Sequence, residues 1–213
     1  IVAAYIIGFL DRRVAGIHEV NRTLGWPVLA EVETVAQGVA PEGHVLESPR
    51  SSFADSFRIL QANLELLGVG QTIKTLLVTG PSVSDGKSTA ALNLALTWAS
   101  PERMVVLVEA DLRRPARDHP DRRGLSDLLL EGGSATDFLI SPYRRQLYIL
   151  PSGLTGREAP GLFQTPALAK VFDDLKAVAD VIIIDGPPTF VADAMPLSTR
   201  VDAVLGVVRI GKS

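Results

Sequence analysis

The chain has 213 residues, 46% of them hydrophobic, which suits one domain with appendages and leaves enough apolar surface for a full core. Its formal net charge is −3, so nothing in the overall charge points to nucleic acid as a partner. Cysteine is absent, which excludes disulfides, thiolate metal sites and cysteine nucleophiles.

The chain begins at Ile1 and reads as a fragment or a processed product. Residues 1–10 are an unbroken apolar run, and Asp11, Arg12 and Arg13 follow at once. The run is too short to cross a bilayer, which takes roughly 20 residues. It has no polar face, so it reads as the last half of a truncated transmembrane helix with its arginines on the cytoplasmic side. A core-packing helix or strand is the other reading. No charged region precedes the run and no small-residue cleavage site follows it, so it does not read as a signal peptide. Val14, Ile17, Val20 and Leu24 have helical spacing. Gly25, Trp26 and Pro27 break that pattern. Residues 31–50 are rich in Gly, Pro, Glu and Ser and read as a linker or loop. Ser51 or Ser52 can cap a helix running to about Leu67, with Phe53, Phe57, Leu60, Leu64 and Leu67 on one face. Asp55, Arg58 and Gln61 share another stripe, either a solvated face or an oligomer contact.

The chemistry begins after that helix. Residues 73–78 read as a strand, a turn-rich loop follows, and Gly86-Lys87-Ser88-Thr89 opens an Ala- and Leu-rich helix to about Ala99. Strand, small-residue loop, Gly-Lys-Ser and helix make up a phosphate-binding P-loop. Backbone N–H groups of Ser84, Asp85, Gly86, Lys87, Ser88 and Thr89 would cradle the phosphates, helped by the positive end of the helix. Lys87 would bridge the outer phosphates and Ser88 would ligate Mg²⁺. A lysine is electrostatically misplaced at a helix N-terminus unless an anion comes with it. The motif departs from G-x-x-x-x-G-K-[ST]: Pro81 stands at the first glycine, and Gly80 comes one residue early.

Residues 105–108 form a continuous apolar run ending in Glu109 and Asp111, then Arg113, Arg114 and Pro115. Short non-alternating strands suit a parallel sheet covered on both faces, and acidic residues at their C-terminal ends sit where α/β ligands bind. The arginines from Arg113 to Arg123, with Asp118 and Asp121 among them, read as a solvated loop. Residues 124–130 read as a short helix, 147–150 as a buried strand and 165–178 as a helix with Pro166 in its first turn. Residues 181–184 are apolar and lead to Asp185, the shape of a Walker B strand whose carboxylate supports Mg²⁺. Residues 193–200 give a short helix and 201–210 a last strand. The alternation predicts an α/β fold with a doubly wound, mostly parallel sheet. The domain reading is an N-terminal extension over 1–29, a linker over 30–50 and the P-loop domain over 51–213.

With these residues in view, the chain resembles the bacterial tyrosine kinases (BY-kinases) of capsule and exopolysaccharide synthesis. These belong to the deviant-Walker P-loop group that includes the MinD/ParA ATPases. Gly86-Lys87-Ser88-Thr89 looks like the family's Walker A end. Glu109-Ala110-Asp111-Leu112-Arg113 looks like its Walker A′ motif, normally Asp-x-Asp-x-Arg. Ile184-Asp185-Gly186-Pro187-Pro188 is similar to its Walker B, and residues 150–153 and 202–209 resemble its Pro-Ser-Gly loop and closing strand. The helix with Asp55, Arg58 and Gln61 is similar to the Glu-x-x-Arg-x-x-Arg helix that joins family subunits into a ring. Residues 1–29, through Gly25-Trp26-Pro27-Val28-Leu29, look like the end of a Wzz-type chain-length-determinant module fused ahead of the kinase.

The resemblance implies an ATP- and Mg²⁺-dependent protein-tyrosine kinase, acting in trans on the tyrosine-rich tail of a neighbouring subunit. It would work in a homo-oligomeric ring at the cytoplasmic face of the cell membrane, held there by its N-terminal segment. Lys87, Glu109, Asp111 and Asp185 would carry catalysis. Ser88, Asp111 and Asp185 would serve the metal, and Glu109 or Asp111 would orient or deprotonate the acceptor hydroxyl. Arg113 would assist charge on the phosphates, and Arg209 is the candidate for the base pocket. Glu109 stands where the family has aspartate, Val83-Ser84-Asp85 where it has Pro-Gly-Glu, and Gln61 where it has arginine. The tyrosines of this sequence are Tyr5, Tyr143 and Tyr148. Two alternatives are a catalytically weakened nucleotide-binding regulatory domain of a polysaccharide co-polymerase and a MinD/ParA-like ATPase. The latter group carries a second lysine where this chain has Ser82.

Overall fold

A computed structural model describes residues 25–68, 72–113, 122–143, 146–153 and 161–209. The apolar run at 1–10, the helical spacing of 14–24, and Arg114 and Pro115 lie outside them. In chain order the elements are α1 (His44–Glu47), α2 (Ser52–Leu67), β1 (Thr75–Thr79), α3 (Lys87–Trp98), β2 (Val105–Glu109), α4 (Leu125–Glu131), β3 (Leu147–Leu150), α5 (Ala167–Val178), β4 (Val181–Asp185), α6 (Ala194–Ser198) and β5 (Ala203–Gly206). Short 3₁₀ turns lie at Ala135–Phe138 and Leu162–Gln164. Among the described residues no helix is long and apolar enough to cross a membrane.

The strands form one five-stranded sheet in the order β3-β2-β4-β1-β5, with every pairing parallel. Alternate side chains of each strand serve opposite faces. Leu77, Val106, Val108, Ile182 and Ile184 join α4 and α5 in one core. Leu76, Val78, Val105, Leu107 and Ile183 join α2 and α3 in the other. Both faces are covered, which is why the strands read as apolar runs without alternation.

The helices follow their apolar faces. Ser51 Oγ accepts from Ala54 N at 3.2 Å and caps α2, whose Phe53, Phe57, Leu60 and Leu64 are buried. α5 buries Leu168, Val171, Phe172 and Leu175. α3 lies between the sheet and α2 and is buried nearly all round, including Asn93 at 0% exposure.

Several edges differ from the sequence expectation. β1 starts at Thr75 instead of residue 73, because Asp202 takes the main-chain N–H of both Lys74 and Thr75 at the strand entrance. β5 spans Ala203–Gly206 instead of residues 201–210, since pairing with β1 ends at Thr79. α6 keeps only Ala194–Ser198 of residues 193–200. The stretch read as a linker contains α1, and its Val45 is buried with its N–H on Asn93 Oδ1 at 3.3 Å. Leu29, Ala30 and Val35 pack on the α2–α3 core as well.

Candidate functional site

The register decides what meets at the C-terminal edge of the sheet. β4 lies between β1 and β2, with Val78 and Glu109 both opposite Asp185. The P-loop, Asp185 and Glu109 therefore leave the sheet from adjacent strands. In parallel α/β sheets this edge is where ligands bind.

The loop from Gly80 to Gly86 is shaped by its own polar groups. Asp85 is buried and its Oδ2 accepts from Ser82 N at 2.7 Å. Lys87, 7% exposed, folds back so that Nζ donates to Ser82 O at 2.6 Å. Ser84 has φ 69° and Gly86 has φ 95°. The left-handed region suits Gly86 but costs a serine roughly 1–2 kcal/mol. Gly80 is required for a different reason: a Cβ there would lie 2.3 Å from the carbonyl oxygen of Val207. Thr189 N donates to Gly80 O at 2.9 Å and Thr79 Oγ1 to Pro187 O at 2.7 Å, which ties the loop after β4 to the base of the P-loop.

Asp185 is 9% exposed, and its Oδ1 is buried without a hydrogen-bond partner. Burial raises its pKa from the ordinary 3.8 to about 6. A Ser88 hydrogen bond opposes that rise, the Asp111 charge adds to it and the Lys87 charge opposes it. Asp185 thus presents one orphaned buried oxygen beside a serine hydroxyl and a second aspartate, a set of groups that a cation would satisfy. These are hard oxygen donors, so the residues fit Mg²⁺. Among the described residues no group of three or more His, Cys, Asp or Glu could hold a metal ion. A cation here depends on phosphate oxygens as well, as Mg²⁺ in nucleotide sites does.

The other sequence candidates are placed as follows. Glu109 is half-buried and its Oε2 accepts from Ser152 N at 3.3 Å. Ser88 is exposed at the mouth, and Thr89 Oγ1 donates to Glu42 Oε1 at 3.1 Å. Arg113 pairs with Asp193, 3.0 Å from Nη2 to Oδ2. Arg209 is exposed beyond β5. On α2, Arg58 bonds Asp55 and the Pro49 carbonyl, and Gln61 donates to Glu65 at 3.2 Å. Sequence reasoning missed Asp193 and Glu42. An aspartate before a short helix reads as a cap, and a glutamate in a polar stretch reads as solvated, so neither gave a signal.

Parallel strands and a lysine-bearing phosphate loop define a P-loop nucleotide-binding fold. No protein-family model matches the chain. The putative tyrosine-protein kinase CapB of Staphylococcus aureus is 28% identical over 149 residues, 68% of this chain and 65% of CapB. The tyrosine-protein kinase YwqD of Bacillus subtilis is 29% identical over 173 residues, 79% of this chain and 73% of YwqD. The succinoglycan biosynthesis transport protein ExoP of Rhizobium meliloti is 26% identical over 177 residues, 79% of this chain and 22% of ExoP. The chain thus spans just under two thirds of CapB and about a fifth of ExoP.

Among solved structures, the chimerical protein CapA2B2 overlays with a TM-score of 0.79 at 28% identity, covering 89% of this chain and 83% of that one. The septum site-determining protein MinD of Pyrococcus horikoshii, complexed with Mg-ADP, overlays at 0.52 with 23% identity, covering 63% of this chain and 57% of that one. The resemblance to bacterial tyrosine kinases holds: YwqD is named a tyrosine-protein kinase and CapB a putative one, and MinD shares the fold over a smaller part of the chain.

Proposed function

We propose that the chain is the ATP-dependent kinase part of a protein-tyrosine kinase serving capsule or exopolysaccharide synthesis. One observation carries the reading: Asp185, buried with an orphaned oxygen, stands beside Ser88 at the exit of the strand flanked by the P-loop strand and β2. Lys87, now bonded to Ser82 O, would exchange that carbonyl for phosphate oxygens. Ser88 and Asp185, with Asp111 nearby, would hold Mg²⁺. The cation would neutralise charge on the transferring phosphoryl group. Glu109 or Asp111 would orient or deprotonate the tyrosine hydroxyl, a useful task for a group whose pKa is about 10. Arg113 and Arg209 would contact phosphate and base.

The names of CapB, YwqD and ExoP support tyrosine as acceptor and polysaccharide export as setting. A place at the cytoplasmic face of the cell membrane, with residues 1–29 as the attachment, rests on the apolar run at 1–10 and the arginines that follow it. A ring of subunits, each phosphorylating its neighbour's tail, is supported by α2, which exposes Ile59, Leu66 and Leu67 next to the Asp55–Arg58 stripe. A second reading, a nucleotide-binding regulatory domain with weakened transfer, is favoured by Glu109, whose carboxylate is engaged by Ser152 N.

Incubation with ATP, Mg²⁺ and a Glu-Tyr copolymer, followed by phosphotyrosine detection, separates the readings. The kinase reading expects a signal lost in Lys87→Met. A signal of equal size in Lys87→Met overturns it, and Mg-ADP binding without any phosphotyrosine selects the regulatory domain.

A further inference from the structure

Asp193 is buried at the same edge of the sheet, although nothing in the sequence assigned it to the site. It precedes α6, where an aspartate ordinarily caps the first turn. Here its backbone is already helical (φ −69°, ψ −20°) and its side chain makes no capping hydrogen bond. Instead Oδ2 accepts from Arg113 Nε at 3.1 Å and lies 3.0 Å from Nη2 of the same guanidinium. The Asp193 side chain is 8% exposed and that of Arg113 is 48% exposed. A buried anion holds a guanidinium more firmly than a surface one, because less water competes for it.

The pair spans two loops. Arg113 lies in the loop leaving β2, just past Glu109 and Asp111, and Asp193 lies in the loop leaving β4, past Asp185. The strands are neighbours, with Glu109 opposite Asp185 and Ala110 N on Asp185 O at 2.8 Å. The Asp111 charge reaches Asp185 across this seam. The Arg113–Asp193 pair ties the two loops beyond the last strand bond. We infer that Asp193 is a positioning residue: its ion pair with Arg113 fixes the spacing of the Asp111 and Asp185 carboxylates at which a Mg²⁺–nucleotide is taken up. The inference rests on the nucleotide site proposed above and is independent of tyrosine as the acceptor.

The test titrates Mg²⁺ against the chain and a fluorescent mant-ADP, with phosphotyrosine formation assayed separately. The variants are Asp193→Asn, Arg113→Ala and the double substitution. Each single change is expected to raise the half-saturating Mg²⁺ by about tenfold, the scale for residues that orient metal ligands. Metal-free ADP binding stays unchanged in Asp193→Asn, and Mg²⁺ half-saturation in the double variant is no worse than in the weaker-binding single variant. A through-space charge effect has a different signature: loss of the arginine cation tightens Mg²⁺ while neutralising Asp193 loosens it. Opposite signs, additive losses or no change overturn the inference. Asp193→Glu keeps the charge and is expected to fall between wild type and Asp193→Asn; this variant decides the matter if the asparagine form fails to fold, and a loss as large as that of Arg113→Ala then counts against the inference. Wild-type chain that binds Mg-ADP but makes no phosphotyrosine overturns the kinase reading alone. Absence of Mg-ADP binding overturns both.

Discussion

The two ends of the sheet use aspartate in opposite ways. At the N-terminal end, Asp202 Oδ2 accepts from Lys74 N, Thr75 N and Thr75 Oγ1 at 2.9, 2.8 and 2.8 Å. Burial alone would raise its pKa, but the Thr75 and Lys74 bonds outweigh burial and hold it below the ordinary value. Asp180 likewise takes Met104 N at 2.7 Å where β2 begins. At the C-terminal end, Asp185 keeps a buried oxygen without a partner and its pKa rises to about 6. These carboxylates fasten strand entrances, whereas the one with an orphaned buried oxygen suits the cation proposed above. A buried oxygen left without a partner, and not residue type, sets the candidate site apart from the scaffold.

That difference can be broken at either end. The largest effect is expected from Lys87→Met, which removes the donor proposed to leave Ser82 O for phosphate oxygens. Phosphotyrosine formation should fall by about 10²–10³-fold, as for other preorganised donors, with the unfolding transition little changed. At the other end, Asp202→Ala should spare Mg-ADP affinity and cost about 1–3 kcal/mol in urea denaturation, because the fully buried Thr75 loses acceptors for its N–H and hydroxyl. The pH signs differ too. Asp202, with its pKa lowered, contributes stability above the ordinary carboxylate pKa that is lost only as pH falls through its lower folded value. The smallest effect is expected at Ser84. Ser84→Gly relieves the left-handed strain but adds glycine's unfolded-state entropy, so a gain of about 0.5 kcal/mol is expected. A urea midpoint that moves down instead would show that Ser84 is not strained.

The parallel sheet was legible because its strands are buried on both faces and flanked by turn residues, as residues 105–108 and 181–184 show. The positions of the P-loop, Glu109 and Asp185 were legible because each ends a strand or follows one directly, so sequence position fixes spatial position. Asp193, Glu42 and Ser152 were not, because each meets its partner across a loop whose path depends on tertiary contacts. Strand edges slipped for the same reason. Asp202 lies far along the chain from Thr75, so periodicity near Thr75 carries no sign of it.

Asp185→Asn tests the contrast most directly, by denaturation at pH 8 with and without Mg-ADP. The folded pKa is raised, so the stability from the protonated carboxyl is present below pH 3.8 and is lost as pH rises through about 6. At pH 8 the ligand-free wild type then bears a penalty on the order of 2–3 kcal/mol, which the amide relieves. Asp185→Asn is expected to be more stable than wild type without ligand, equal to it near pH 4, and little stabilised by Mg-ADP. A variant less stable at pH 8, with the full ligand-induced gain retained, would contradict it.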